Sequence, residues 1–343
     1  MNSDTTTQLM TLAPKRAESK ECQLKIASVM TGTQVRAAVA LQSGHLLVPS
    51  LLPAELASQH RLPDSVRGIL AEPGGLGALR ALADVANRDR YASNRVPAAT
   101  VAIIPEHEAI FAAPVPDPVH FVGCGASYRQ HLAEMGGVPV PAHPVLFLCS
   151  PVSLAGHRQR IQIPPHQAAM IDYEGELAAV IGKRCYRVEE REALGYVAGY
   201  LVHNDISARD HVAEVQAVTV PIKMIDAWGR NVAGKQHPTF SPMGPYLVTS
   251  DEIPDPHALH LTTRVNGNIV QDIGTDDLIF SIAQYVAYIS QWYTLLPGDI
   301  ISTGTPGGVG VAKNPPVFLR LHDVVEVSIT GLGTLSNTMG SFT

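Results

Sequence analysis

Charge is sparse in this chain: Asp, Glu, Lys and Arg together make up 16% of its 343 residues, and 25 basic against 31 acidic side chains give a net charge of -6. A protein that grips nucleic acid carries a basic excess or patch, so nucleic acid is excluded as a partner. A hydrophobic share of 45% likewise excludes a disordered chain. No run reaches the roughly 18 apolar residues that a bilayer span needs, so no membrane partner is expected. The stretch Met1 to Glu21 is polar and Thr-rich and lacks the apolar core of a secretory signal, so it reads as a tail outside the fold. Cysteine is scarce too. Cys22, Cys124, Cys149 and Cys185 lie far apart with no Cys-x-x-Cys pair, which excludes a zinc knuckle or dithiol motif and fits a cytoplasmic protein.

What the chain does have is 28 Gly and 26 Pro, so turns are plentiful and long helices few. The expected class is α+β and β-rich. Short strands are predicted at Leu24 to Val29, Val35 to Leu41 and Leu46 to Val48, and Leu76 to Ala86 has the spacing of an amphipathic helix. Pro-rich stretches at Pro97 to Pro105 and Pro114 to Pro118 suggest a boundary, dividing a small N-terminal α+β domain (22–118) from a main domain (119–343). In the main domain, strands are predicted at Val145 to Leu148, Leu177 to Ile181, Val197 to Val202, Leu259 to Val265, Ile300 to Ser302 and Val324 to Ile329. One strong helix carries Leu278, Ile282, Tyr285, Ile289 and Trp292 on one face, with Asp276 or Asp277 as its cap. Strands that do not alternate with helices argue for a rolled or sandwiched mixed sheet.

Three acidic residues stand at alternate positions, Asp172, Glu174 and Glu176, leading into the apolar run Leu177 to Ile181. In a strand such side chains share a face about 7 Å apart, and like charges that close call for a counter-charge. A hard divalent cation bound by oxygens is the simplest one. A second apolar strand ends abruptly in Asn204-Asp205, so Asp205 can add a third carboxylate. Further back, Ser127-Tyr128-Arg129-Gln130-His131-Leu132-Ala133-Glu134 puts His131 and Glu134 three apart; on a helix they touch, and a carboxylate orients an imidazole as a general base. Glycines on both sides, including Gly136-Gly137, would let that helix move as a lid. Near the end, Ile300 to Gly310 runs from a strand into a glycine-rich loop without the Gly-Lys-Ser/Thr of a P-loop; a backbone loop close to a small anionic ligand is expected instead.

Taken in order, these segments resemble the fumarylacetoacetate hydrolase superfamily over about residues 119–340. The resemblance rests on Asp172-Tyr-Glu-Gly-Glu-Leu-Ala-Ala-Val-Ile-Gly-Lys183, on Gly199-Tyr200 followed by Asn204-Asp-Ile-Ser-Ala-Arg-Asp210, and on Pro297-Gly-Asp299 followed by Thr303-Gly-Thr-Pro306. It implies the family's mixed β-roll, usually a homodimer, with Glu174, Glu176 and Asp205 holding Mg²⁺ or Mn²⁺, or else Ca²⁺. By the same resemblance His131 and Glu134 are the lid dyad, Lys235 is the active-site lysine, and Tyr128, Arg209 and Thr305 bind substrate. Ser127 stands where the family often has Asn, and Val212 where it commonly has Gln. The activity implied is metal-dependent hydrolysis of a carbon-carbon bond in a 2,4-diketo acid, such as an acylpyruvate, of the kind used in aromatic-compound catabolism. The alternative is decarboxylation or isomerisation of an oxaloacetate-like 2-keto acid.

Overall fold

The structure is a computed structural model, and it describes residues 23–53, 62–88, 102–165, 169–212 and 217–342. The tail expected over residues 1–21, Cys22 and most of the Pro97 to Pro105 stretch lie outside them. The described residues build a β-rich α+β molecule of mixed sheets with few helices. Its largest sheet has 11 strands. At the centre is Gly175–Ile181, buried at every position. The run Leu177 to Ile181 does not alternate because a strand covered on both faces needs apolar residues in both directions.

This central strand pairs antiparallel with Val197–Asn204 on one side and with Ile300–Ser302 on the other. Ile300–Ser302 in turn runs parallel to Phe121–Gly125. The registers bring together at one edge the start of the central strand and the ends of its three neighbours, so Glu174, Asp205, Thr303 and the segment after Gly125 converge. A second sheet of five strands, including His260–Val265 and Val324–Ile329, packs across the central strand. A Cβ on Gly175 would meet Thr263 Oγ1 at 2.3 Å and Val327 Cγ1 at 3.0 Å, so only glycine lets the sheets approach this closely.

The N-terminal strands Lys25–Thr31, Gln34–Ala40 and His45–Leu47 stand where alternation predicts them, and the helix Gly75–Arg88 covers the predicted one. Lys25–Thr31 pairs with Leu247–Thr249, so residues on both sides of position 118 share one sheet. Two expectations need correction. The predicted late helix is Ile282–Ser290, and its cap is Ser281, not Asp276 or Asp277. Ser281 Oγ accepts from the Gln284 N–H at 3.1 Å while Gln284 Oε1 accepts from the Ser281 N–H at 2.9 Å, satisfying two end groups at once. Because that helix stops at Ser290, Trp292 leaves the buried face and is 67% exposed. A helix the sequence pattern did not announce, Pro221–Ala233, carries one fully buried residue, Ala227.

Candidate active site

Four carboxylates and two cations are buried together at the convergent edge: Asp172, Glu174, Glu176 and Asp205 with Arg209 and Lys235. Glu174, Glu176 and Asp205 each offer an oxygen, and these oxygens lie within 4.8 Å of one another, as the sequence pattern anticipates. Asp172 points elsewhere. It accepts from the Gly310 N–H at 2.7 Å, the Val311 N–H at 3.0 Å and Arg209 Nε at 3.1 Å. Arg209 also donates to Glu174. Lys235 Nζ donates to Glu174 Oε2 at 2.6 Å, to Asp205 Oδ2 at 2.7 Å and to Ser207 Oγ at 2.7 Å.

The charge count and the pKa directions agree on what this cage is short of. Burial alone would raise Glu174, but Arg209 and Lys235 outweigh it and hold the carboxyl down to about 2. Asp205 is pushed up to about 6 by burial; Lys235 opposes this only in part, and Glu176 and Glu174 add to it. Arg209 and Lys235 are both raised, against their own burial, by the same carboxylates, so both stay cationic. Four carboxylates against two cations leave the group two positive charges short of balance. Asp205 Oδ1 is buried and has no hydrogen-bond partner. A missing divalent positive charge and an unused carboxylate oxygen are what a hard cation with oxygen ligands fits.

The dyad is formed. The helix Arg129–Glu134 brings His131 Nδ1 to 2.7 Å from Glu134 Oε1. Glu134 Oε2 accepts from the Gly308 N–H at 2.7 Å. A carboxylate that accepts on both oxygens requires the imidazole proton on Nδ1, which leaves Nε2 free to take a proton. The start of this helix is held by Asp277, whose Oδ2 accepts from the Gln130 N–H at 2.9 Å, so that residue caps the dyad helix in place of the later one. Gly136 and Gly137 follow the helix with positive φ of 90° and 75°.

The glycine-rich loop corrects a further expectation. Its N–H groups face anions as anticipated, but the anions are the protein's own. Gly304 N–H reaches Glu176 at 3.2 Å, Gly308 N–H reaches Glu134, and Gly310 and Val311 reach Asp172. At Gly304, with φ +85°, a Cβ would strike Ser127 Oγ at 2.5 Å. Thr305 accepts from Gln271 Nε2 at 2.8 Å and donates to the Gly175 carbonyl at 3.1 Å. Tyr128 differs from its expected role in placement: it is wholly buried in the main core, and burial first and Glu176 next push its phenol far above its usual range.

Sequence reasoning missed three residues here. Ser302 donates to Glu176 Oε2 and lies 2.6 Å from His203 Nδ1, so His203 and Ser302 brace that carboxylate from behind. Gln271 also accepts from the Gly175 N–H at 3.0 Å, tying the second sheet to the site. Only Ser302 carried a local signal, its place at the end of a strand entering the glycine-rich loop.

The dyad and one side of the cage face a common cavity of about 490 Å³, lined among others by His131, Glu134, Glu174, Arg209, Lys235 and Thr305. Cys124 is in its wall, but burial first and Glu176 next raise its thiol well above the ordinary range, so it stays protonated and is no nucleophile. The arrangement can bind a chelating oxyanion at the cage and move a proton at His131.

The family model described as fumarylacetoacetate (FAA) hydrolase C-terminal matches residues 120–340. A human mitochondrial oxaloacetate tautomerase is 39% identical over 245 residues, covering 71% of this chain and 74% of that protein. An oxaloacetate tautomerase of Bacillus subtilis is 40% identical over 230 residues, covering 66% of this chain and 72% of that one. Among solved structures, a fumarylacetoacetate hydrolase from Exiguobacterium antarcticum is similar with a TM-score of 0.70 at 28% identity, over 93% of this chain and 100% of that one.

Proposed function

This chain belongs to the fumarylacetoacetate hydrolase family, and from that premise we propose that it is a divalent-metal-dependent enzyme that interconverts the keto and enol forms of a 2-oxo acid. The observation that carries this is the pairing across one cavity of a proton acceptor, His131 Nε2, with a buried cage two positive charges short. Enolisation asks for those two things: a base at C3 and positive charge at the C2 oxygen. The identity to relatives named as oxaloacetate tautomerases supports the same reaction class.

Glu174, Glu176 and Asp205 would hold the metal, Mg²⁺ or Mn²⁺ by the hardness of three carboxylates. When bound it supplies Lewis acidity toward the 2-oxo acid. His131 takes the C3 proton on Nε2, and Glu134 stabilises the imidazolium so formed. Lys235, kept protonated by its carboxylate neighbours, supplies positive charge beside the developing enolate oxygen. The imidazolium then returns the proton to that oxygen, completing the tautomerisation with no net loss of atoms. Thr305 lines the cavity beside the cage, and the peptide groups of the glycine-rich loop hold Glu134, Asp172 and Glu176 in position.

A second reading, hydrolysis of a carbon-carbon bond in a 2,4-diketo acid, has one observation in its favour. The cavity of about 490 Å³ leaves room for a water beside a small acid, and His131 can deprotonate water as well as carbon. Product analysis separates the two, because tautomerisation leaves the carbon skeleton whole.

Two smaller effects follow from the cage. Metal binding requires Asp205 ionised, and in the metal-free protein its carboxyl is raised to about 6. The sign is therefore fixed: affinity is full above that value and declines as pH falls through it. Titration calorimetry with Mn²⁺ at pH 7.5 and pH 5 is expected to show roughly tenfold weaker binding at the lower pH, and equal affinities would remove Asp205 from the ligand set. Ser302→Ala takes away the hydroxyl that braces Glu176 and is expected to weaken Mn²⁺ affinity by about tenfold, the usual cost of losing a group behind a ligand. A dissociation constant within twofold of wild type would mean that the contact is idle.

A further inference from the structure

The cavity wall combines a charged cage with an apolar surface, and the contrast constrains what the substrate carries beyond its 2-oxo acid head. Both cations in its wall are at the cage and already engaged: Arg209 with Asp172 and Glu174, Lys235 with Glu174, Asp205 and Ser207. Apart from the cage, the dyad and Thr305, the wall is largely apolar, made among others by Met135, Phe147, Val212, Trp228, Val311 and Ala312. Asn231 is its one polar side chain there, and among the described residues no Lys or Arg other than Arg209 and Lys235 lines the cavity. The Phe147 ring lies 5.8 Å from Lys235 Nζ, so the apolar wall begins directly beside the cage. Trp228 reaches across from the helix Pro221–Ala233, and its Cη2 would lie 4.0 Å from a Cβ on Gly125, at the foot of the dyad helix.

A carboxylate at the far end of a substrate, as in a 2-oxo dicarboxylic acid, would lose its water there without gaining a cation, a cost that leaves it outside or bound weakly. An aryl or branched alkyl group would instead bury its surface on Trp228, Phe147 and the valines. We propose that the apolar wall of this cavity, with Trp228 and Phe147, is a subsite, and that the substrate is a 2-oxo acid bearing an uncharged aryl or alkyl group on the carbon chain, preferred over a 2-oxo dicarboxylic acid. This substrate class rests on the enolising reading given above; the subsite itself does not.

Two inert ligands with the same oxamate head test it by titration calorimetry on the Mn²⁺-loaded protein: N-benzyloxamate, which ends in phenyl, and N-oxalylglycine, which ends in carboxylate. N-benzyloxamate is expected to bind at least tenfold more tightly, and Trp228→Ala to shrink that ratio toward one. Because Trp228 is 40% exposed, its loss is tolerable to the fold, and an unchanged melting temperature checks this. Tighter or equal binding of N-oxalylglycine overturns the subsite, as does a ratio that Trp228→Ala leaves intact. Turnover is read separately on phenylpyruvate and oxaloacetate. A phenyl preference in binding without acceleration of either tautomerisation sinks the enolising reading and leaves the subsite standing; the reverse pattern, oxaloacetate tautomerised with no phenyl preference, sinks the subsite alone.

Discussion

In Asp205→Asn, added Mg²⁺ or Mn²⁺ no longer raises the melting temperature, and keto-enol interconversion falls to the level of the buffer. The wild-type cage is two positive charges short, and Asp205 Oδ1 is its buried oxygen without a partner. Asparagine removes one of the negative charges that attract a cation and replaces one oxygen by an amide nitrogen that cannot coordinate a hard ion. The affinity loss should exceed about 10²-fold, the upper end of what a merely supporting residue costs. In wild type, metal at a hundred times its dissociation constant contributes about 2.7 kcal/mol of stability through binding to the native state alone, and this increment vanishes in the variant. Asp272→Asn is the control. That carboxylate is half exposed beside His260, away from the cage, and its loss should leave the metal response as it was. A thermal shift of wild-type size in Asp205→Asn would contradict the assignment.

The second large effect is at the dyad. His131→Ala should lower kcat by roughly 10² to 10⁴-fold, the range for removing a general base, with Mn²⁺ affinity within about twofold of wild type. Glu134→Gln should come close to it for a specific reason. Glu134 accepts from two donors, His131 Nδ1–H and the Gly308 N–H. An amide of the same size has one acceptor and one donor end, so it can satisfy only one of them. Keeping the Gly308 contact turns the amide N–H toward His131 and moves the imidazole proton to Nε2, the nitrogen that must be empty. Nitrogen-15 spectra of the imidazole read the tautomer directly. A variant with the Nδ1–H tautomer and normal kcat would remove Glu134 from the mechanism.

Where sequence alone succeeds here, the physics is local or periodic. Alternation of Glu174 and Glu176 ahead of an apolar run, and Asp205 just past the end of another, is sufficient to bring three carboxylates together once the two strands pair, and Gly175 opposite Asn204 is the register that does so. The three-residue spacing of His131 and Glu134 works in the same way on one helical turn. What could not be read depends on contacts between distant segments. Ser302 and Glu176 are 126 positions apart, and Gln271 and Gly175 are 96 apart, joined only because the sheets stack. The glycine-rich loop was legible as a set of N–H groups awaiting anions, yet nothing local said that Glu134, Asp172 and Glu176 would be those anions.

The helix Pro221–Ala233 fails for a different reason. Its Ile222 and Ile225 are exposed, 70% and 69%, so its apolar spacing does not mark a core face, and Gly229 interrupts the pattern. Trp228 on that helix nonetheless lines the cavity wall. The late helix shows the converse. Asp276 and Asp277 are good capping residues, but Ser281 and Gln284 make a reciprocal pair three apart, and that pair sets the boundary.

The most direct test follows two substrates, phenylpyruvate and an acylpyruvate, in parallel by proton and carbon NMR in D₂O with the Mn²⁺-free, Mg²⁺-loaded enzyme. Enolising chemistry at His131 puts deuterium at C3 faster than Mg²⁺ alone does, leaves every carbon-carbon bond intact, and loses this acceleration in His131→Ala. Cleavage of the acylpyruvate to pyruvate and a carboxylic acid, with C3 exchange no faster than in the Mg²⁺ blank, would contradict it and leave hydrolysis as the reaction of this site.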